Sequence, residues 1–270
     1  MVIILKIFLF TKKTLLISFF VFLMILILFF ILYKSTYSAV DLSCNSEISD
    51  DFIEKIANLT NGDEKIAYLT FDDGPTTSIT PKILDILKEE NIKATFFVIG
   101  KSVDANPEIV KRAYEEGHYI ANHTYSHNNS TLYQSSESFI DEIIKTDLAI
   151  GNAIGIDNYC SHLFRFPNGF MAPLYKSKKK EAVSLLLEMN YAYIDWNCLN
   201  NDSMKKYTTN QLLNNLIESS KNKNTLVILM HDTKDVSNSS LVLKDSIFYL
   251  KSQGYEFKNF YSLIPSIITY

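Results

Sequence analysis

Ile66-Ala67-Tyr68-Leu69-Thr70-Phe71-Asp72-Asp73-Gly74-Pro75 is an apolar run of strand length that stops abruptly at two carboxylates and a tight turn. The same grammar recurs down the chain. Ala94 to Ile99, His118 to Ala121, Leu163 to Phe166, Tyr191 to Ile194 and Leu226 to Met230 are further apolar runs of strand length, rich in β-branched and aromatic residues. Helical patterns lie between them: Thr80-Pro81 and Pro107 each place a proline in a first turn, and Ser138 to Ala153, Lys178 to Met189, Thr208 to Lys221 and Ser240 to Gln253 continue the alternation. Strand followed repeatedly by helix predicts an α/β fold with a parallel sheet, closed or partly closed into a barrel. In such barrels the functional groups collect at the C-terminal ends of the strands. Polar clusters stand at those ends: Asp72-Asp73, His123-Thr124-Tyr125-Ser126-His127, Arg165-Phe166-Pro167-Asn168-Gly169, Asp195-Trp196 and Leu229-Met230-His231.

Working outward to the N-terminus, the first 33 residues carry only Lys6, Lys12 and Lys13 as charges, and Leu15 to Tyr33 carry none. At ~1.5 Å rise per residue, a helix of that length spans a hydrocarbon core of ~30 Å. Residues 14–33 therefore read as a transmembrane signal anchor, with 1–13 cytoplasmic; a signal peptide cleaved near Thr36 and Ser38 is the competing reading. Lysines precede the apolar segment, while Asp41, Glu47, Asp50, Asp51 and Glu54 follow it, so the positive-inside bias places the remainder outside the cell. Residues 34–63 read as a stalk with a short amphipathic helix around Asp51 to Leu59, and 64–270 as one catalytic domain.

The formal net charge is -4 and the sequence pI near 5.8, without a basic aromatic-laced face, which excludes nucleic acid as the expected partner. Cys44, Cys160 and Cys198 lack zinc-ligand spacing. Outside the membrane, Cys160 and Cys198 form a candidate disulfide, because each falls near the end of an expected strand.

The clusters divide into chemical roles. His123 and His127 are four apart, which on a helical turn would bring both imidazoles to one ion; Asp73 is the candidate third ligand, leaving positions for water and a substrate oxygen. Such a donor set suits a divalent metal, with zinc the default and cobalt or manganese alternatives. Asp72 is the candidate general base, with Arg165 to favour its charged form. His231 is the candidate acid toward a leaving nitrogen, with either Asp202 or Asp195 holding its other ring nitrogen. Trp196 is the only tryptophan and offers a flat face for a sugar ring; Tyr125 is placed along the cleft, and His118 and His162 are structural.

Thr70-Phe71-Asp72-Asp73-Gly74-Pro75 and His123-Thr124-Tyr125-Ser126-His127, in that order, resemble the first two motifs of the polysaccharide deacetylases, the group sharing the chitooligosaccharide deacetylase homology domain. The likeness covers about residues 64 to 260. It implies a distorted, TIM-like (β/α) barrel of about seven strands, a metal on Asp73, His123 and His127, Asp72 as base and His231 as acid. The expected reaction is removal of N-acetyl groups from N-acetylglucosamine in a cell-wall glycan, with peptidoglycan the leading substrate, by a membrane-anchored monomer. Chitin oligomers, exopolysaccharide, O-acetylated xylan and non-catalytic glycan binding are the alternatives.

The resemblance further implies that Arg165 steadies the base, that Pro167, Asn168 and Gly169 build a groove wall, and that Leu229 lines an acetyl pocket. Two departures stand out. Phe166 and Asn168 replace the usual proline and aromatic of the third motif, Arg-Pro-Pro-aromatic-Gly. In the fourth motif, usually Asp-x-x-Asp-Trp, Trp196 directly follows Asp195 and the next aspartate is Asp202.

Overall fold

The computed structural model describes residues 19–24, 27, 50–204, 207–233 and 238–263. Contacts separate the chain between Leu42 and Ser43 into two units. In the first, residues 19–24 and 27 are helical, with Phe19, Phe20, Phe22 and Met24 exposed. Most of the expected anchor, 14–33, lies outside the described residues; among those described, no helix is long and apolar enough to cross a membrane.

The second unit is an α/β fold built on a parallel sheet of eight strands. They are β1 (Ile66–Asp72), β2 (Thr95–Val98), β3 (Tyr119–Asn122), β4 (Leu163–Phe164), β5 (Ala192–Tyr193), β6 (Cys198–Leu199), β7 (Thr225–His231) and β8 (Glu256–Lys258). The main path runs β5-β4-β3-β2-β1-β7-β6. β2 pairs with the upper part of β1, at Thr70 to Asp72, and β8 with its lower part, at Ile66 to Tyr68. Among the described residues no ladder joins β5 to β6, so the barrel is partly closed. β6 and β8 are too short and too polar around their ends to announce themselves in the sequence; pairing with β7 and β1 makes them strands.

Alternation along the strands sorts the two faces. Ala67, Leu69 and Phe71 of β1 and Leu226, Ile228 and Met230 of β7 belong to the outer cluster beneath the helices. Tyr68, Phe97, Tyr119, Ala121, Leu163, Ala192, Ile194 and Val227, from six strands, meet in one inner cluster, which requires the sheet to curl on itself. Period two therefore turns Thr70 and Asp72 of β1, and Leu229 and His231 of β7, inward as well.

The helices are α1 (Asp50–Asn58), α2 (Thr80–Glu89), α3 (Gly100–Ala105), α4 (Pro107–Glu115), α5 (Asn129–Leu132), α6 (Ser136–Ile154), α7 (Lys176–Glu188), α8 (Thr209–Ser220) and α9 (Asn238–Ser252). Helix α1 falls in the segment expected to be stalk, yet its Phe52 (0 % exposed) and Ile56 (3 %) are buried in the inner cluster. That much of the stalk is part of the folded body, because an amphipathic helix gains most by burying its apolar stripe.

The expected Cys160–Cys198 bridge is not formed: Cys198 is a free, buried thiol, and Cys160 is disulfide-bonded elsewhere. β4, which follows Cys160, and β6, which carries Cys198, are separated along the sheet by β3, β2, β1 and β7. The two cysteines also sit in different apolar clusters.

Candidate active site

Asp72 ends β1 and His231 ends β7, and the two are paired in register on adjacent strands. Asp73, one residue on, leaves the strand with φ at 76°, a left-handed conformation that turns its carboxylate away from that of Asp72. Gly74 permits the turn: a Cβ there would lie 2.0 Å from Oδ2 of Asp232, the buried residue after His231.

His123 and His127 converge on Asp73, with each Nε2 lying 3.4 Å and 3.3 Å, respectively, from Asp73 Oδ1. One donor atom from each residue lies within 4.8 Å of the others. The route differs from the expected helical turn. Residues 123–128 are a loop, with Thr124 and His127 at φ 71° and 52°. A β-branched residue in the left-handed region is unfavourable and persists only where neighbours over-determine it. Here Thr124 N–H donates to Asn122 Oδ1 at 3.0 Å, His127 N–H donates to Thr124 Oγ1 at 3.1 Å, and Gly100 N–H donates to the Thr124 carbonyl at 3.0 Å.

Beneath the loop, α6 supplies two buried carboxylates absent from the sequence reading. Asp147 Oδ1 accepts from Asn122 Nδ2 at 2.9 Å, and Glu142 Oε2 accepts from Ser126 N–H at 2.7 Å. Burial pushes the Asp147 carboxyl up to about 6 against the hydrogen bonds of Tyr191, Asn122 and Ser161. A helix-interior acid carries no sequence signal for this role, because only the packing of α6 shows that it faces the sheet.

Asp73, His123 and His127 fit a divalent cation on chemical grounds. Asp73 Oδ1 is buried without a hydrogen-bond partner. Its carboxyl is held well below the usual carboxylate range: burial would raise it, but the close approach of His123 and the charges of His123, His127 and His231 outweigh that. His123 is buried, and its Nδ1 faces the Arg165 carbonyl at 2.8 Å, which aims Nε2 at the cluster.

Arg165 is wholly buried and reaches across the barrel from the end of β4. Its Nη1 donates to Asp72 Oδ1 and Thr70 Oγ1, both at 2.7 Å, and its Nε donates to the Ile194 carbonyl at 3.0 Å. The guanidinium lies 3.9 Å from the Phe97 ring centre and 5.7 Å from that of Trp196. These contacts leave the planar fork one orientation, and with it Asp72.

Asp202, not Asp195, holds His231. Asp202 Oδ1 sits 2.7 Å from His231 Nδ1, while Oδ2 accepts from the His231 backbone N–H at 2.9 Å and from Ser239 Oγ at 2.5 Å. Burial alone would lower the imidazole pKa; the Asp202 hydrogen bond and the charges of Asp202, Asp72 and Asp73 override it and raise the pKa to about 9. Asp195 is turned to another task, accepting the N–H groups of Phe170 and Met171 at 2.8 and 3.2 Å. The choice between the two aspartates depended on how the β6–α8 loop folds back over β7, which spacing does not encode.

Other expected positions divide. Trp196 is half-buried against Gly169, and Leu229 is buried on the inner face of β7. Pro167 is buried, Asn168 is exposed with φ 64°, and Phe166 is core, packed on Phe139, Phe164, Phe170 and Tyr193. The Tyr125 hydroxyl donates to Asp104 at 2.9 Å and its ring covers Gly100, both on α3, which starts just past the C-terminal end of β2. His118 and His162 are buried, with Nδ1 atoms engaged by Ala94 N–H and the Asn190 carbonyl.

Residues 60–192 match the protein family described as polysaccharide deacetylase. The chain is 37% identical over 189 residues to the peptidoglycan-N-acetylglucosamine deacetylase PgdA of Listeria monocytogenes, covering 70% of this chain but only 36% of that protein. It is 35% identical over 210 residues to a peptidoglycan-N-acetylglucosamine deacetylase of Bacillus cereus, covering 76% and 71% of the two chains. Among solved structures, a CE4 esterase of Streptococcus mutans superimposes with a TM-score of 0.68 at 30% identity, over 77% of this chain and 90% of the other.

Proposed function

The chain belongs to the polysaccharide deacetylase family, and from that premise we propose that it hydrolyses the N-acetyl group of N-acetylglucosamine residues in cell-wall peptidoglycan, releasing acetate. The supporting observation is the meeting, on one rim of strand ends, of the Asp73–His123–His127 cluster with the Asp72–Arg165 and His231–Asp202 pairs. Asp73, His123 and His127 would hold a divalent cation, with zinc the fitting choice for one carboxylate and two imidazoles. When bound, such an ion polarises the acyl oxygen and lowers the pKa of water.

The protein's own groups supply the rest. Asp72, oriented by Arg165, accepts the proton of the attacking water. His231 carries its Nδ1 proton toward Asp202 and so presents Nε2–H to the amide nitrogen, which must be protonated before it leaves as an amine. The inward side chain of Leu229, buried on the adjacent strand, suits an acetyl methyl. The apolar segment at 14–33 and the charge bias around it support an anchored protein with its site outside the cell.

The test is acetate release from purified peptidoglycan by the full chain in detergent, with chelator, with zinc restored, and with Asp72→Asn. Release that needs metal and Asp72 supports the reading. Release from chitin oligomers or xylan but not from peptidoglycan would keep the chemistry and replace the substrate; no release from any acetylated glycan would overturn the proposal.

A further inference from the structure

Asp147 of α6 is a buried carboxylate whose hydrogen-bond partners among the described residues are all neutral: the Asn122 side-chain amide, the Tyr191 hydroxyl and the Ser161 backbone N–H. Burying a carboxylate without a cation beside it costs stability that an apolar residue would not. What it does to its neighbours is therefore the question.

The neighbour that matters is Asn122, the last residue of β3 and the one before His123. An amide side chain can face a polar site either way round, with a donor end or an acceptor end, and Asp147 removes that choice. A carboxylate only accepts, and so does the Ile143 carbonyl; both receive Asn122 Nδ2, each at 2.9 Å. Both N–H donors of the amide are thereby spent on α6. Oδ1 must turn the other way, to the loop, where it accepts the Thr124 N–H at 3.0 Å. Thr124 then stands at φ 71°, a costly conformation for a β-branched residue, with Oγ1 placed to accept the His127 N–H at 3.1 Å. One relay thus runs from the carboxylate of a helix, through Asn122 and Thr124, to the backbone of His127. Just over one turn earlier on the same buried stripe, Glu142 holds the Ser126 N–H. None of these groups is among the candidate ligands; they act on the backbone that carries two of them.

We propose that Asp147 is a positioning residue for the cation site: by fixing which way the Asn122 amide faces, it holds the His123–His127 loop in ligand geometry before the ion arrives. The proposal rests on the deacetylase reading for what the site is used for. It goes beyond that reading by assigning part of the cation affinity to a carboxylate of α6 that is not itself a candidate ligand.

The experiment titrates the metal-free full chain in detergent with zinc, in competition with a chromophoric chelator, and follows denaturant unfolding beside it. The chains compared are the unmodified protein, Asp147→Asn, the double exchange Asn122→Asp with Asp147→Asn, Thr124→Ala and Thr124→Ser. Asp147→Asn turns an N–H group toward one of three donors and frees the Asn122 amide to flip. It should weaken zinc binding about ten- to a hundred-fold, with acetate release lost at limiting zinc and returning as zinc is raised. The double exchange pairs an amide with a carboxylate in the reverse sense and keeps an acceptor for the Thr124 N–H; because the Ile143 carbonyl loses its donor, it should recover only part of the affinity. Thr124→Ala removes the acceptor for the His127 N–H and should weaken zinc in the same direction, while Thr124→Ser keeps it and should bind more tightly than Thr124→Ala. A variant that is only less stable, but still wholly folded, binds zinc as before, so the affinity separates positioning from support of the fold. Unchanged zinc affinity in a folded Asp147→Asn would overturn the proposal. If Asp147→Asn does not fold, the Thr124 pair decides, and equal affinities in the two would overturn the relay. An unmodified chain that binds no zinc overturns the cation site and this proposal together. Zinc binding without acetate release from any acetylated glycan overturns the deacetylase reading alone, and the affinities still test Asp147.

Discussion

Replacing Asp202 by asparagine removes the charge and the acceptor that hold His231 protonated. The imidazole, raised to about 9 in the intact site, should fall to its ordinary pKa of ~6.5 or below, since burial then acts without its main counterweight. At pH ~8 the protonated fraction drops from ~90% to ~3%, a loss of about thirty-fold in the acid form, or ~2 kcal/mol of transition-state stabilisation. Asparagine also turns an N–H group toward His231 or Ser239, both donors to Asp202 in the intact protein. The assay is acetate release from an N-acetylglucosamine oligomer as a function of pH with metal supplied. The basic limb of kcat/KM should move from about 9 down toward ~6.5, while the acidic limb stays in place. Stability moves with the same sign. A histidine whose folded pKa is raised stabilises the fold fully below its unfolded pKa and loses that contribution as pH climbs from ~6.5 through 9, so this pH dependence should flatten in Asp202→Asn. A folded variant with an unmoved basic limb would refute the assignment of the limb to His231 and of its pKa to Asp202.

Three further outcomes follow from the geometry. His123→Ala should abolish both activity and stoichiometric metal, read by elemental analysis, while Asp72→Asn should abolish activity and retain metal, since Asp72 lies outside the ligand cluster. Arg165→Met strands the buried Asp72 carboxylate and should cost about 3 to 5 kcal/mol in denaturant unfolding; Arg165→Lys should recover only part, because a single ammonium cannot reach Thr70, Asp72 and the Ile194 carbonyl together. Gly74→Ala drives a methyl into the Asp232 carboxylate and should cost ~1 to 3 kcal/mol; an unchanged melting temperature would mean that the turn adjusts freely.

The short strands were legible as apolar runs because burial on both faces of a parallel sheet needs nothing but apolar residues. The polar residues that end them were legible because a barrel collects such ends at one mouth. β6 and β8 were not legible, since two or three residues acquire strand character only from the partner beside them. Nor was the role of α1, whose amphipathic stripe does not say which surface covers it.

The order and identity of Asp72, Asp73, His123, His127, Arg165 and His231 are properties of the sequence alone, and so is the alternation that turns Asp72 and His231 to one face, because side-chain direction along a strand follows from local backbone geometry. Which aspartate holds His231, which cysteines stay apart, how the histidines meet on a strained loop instead of a helix, and how Asp147 comes to brace that loop from α6 were decided only by tertiary structure. Those outcomes depend on loops folding back across the sheet and on which side chains burial forces to find partners, and both involve distances through space that spacing along the chain does not carry.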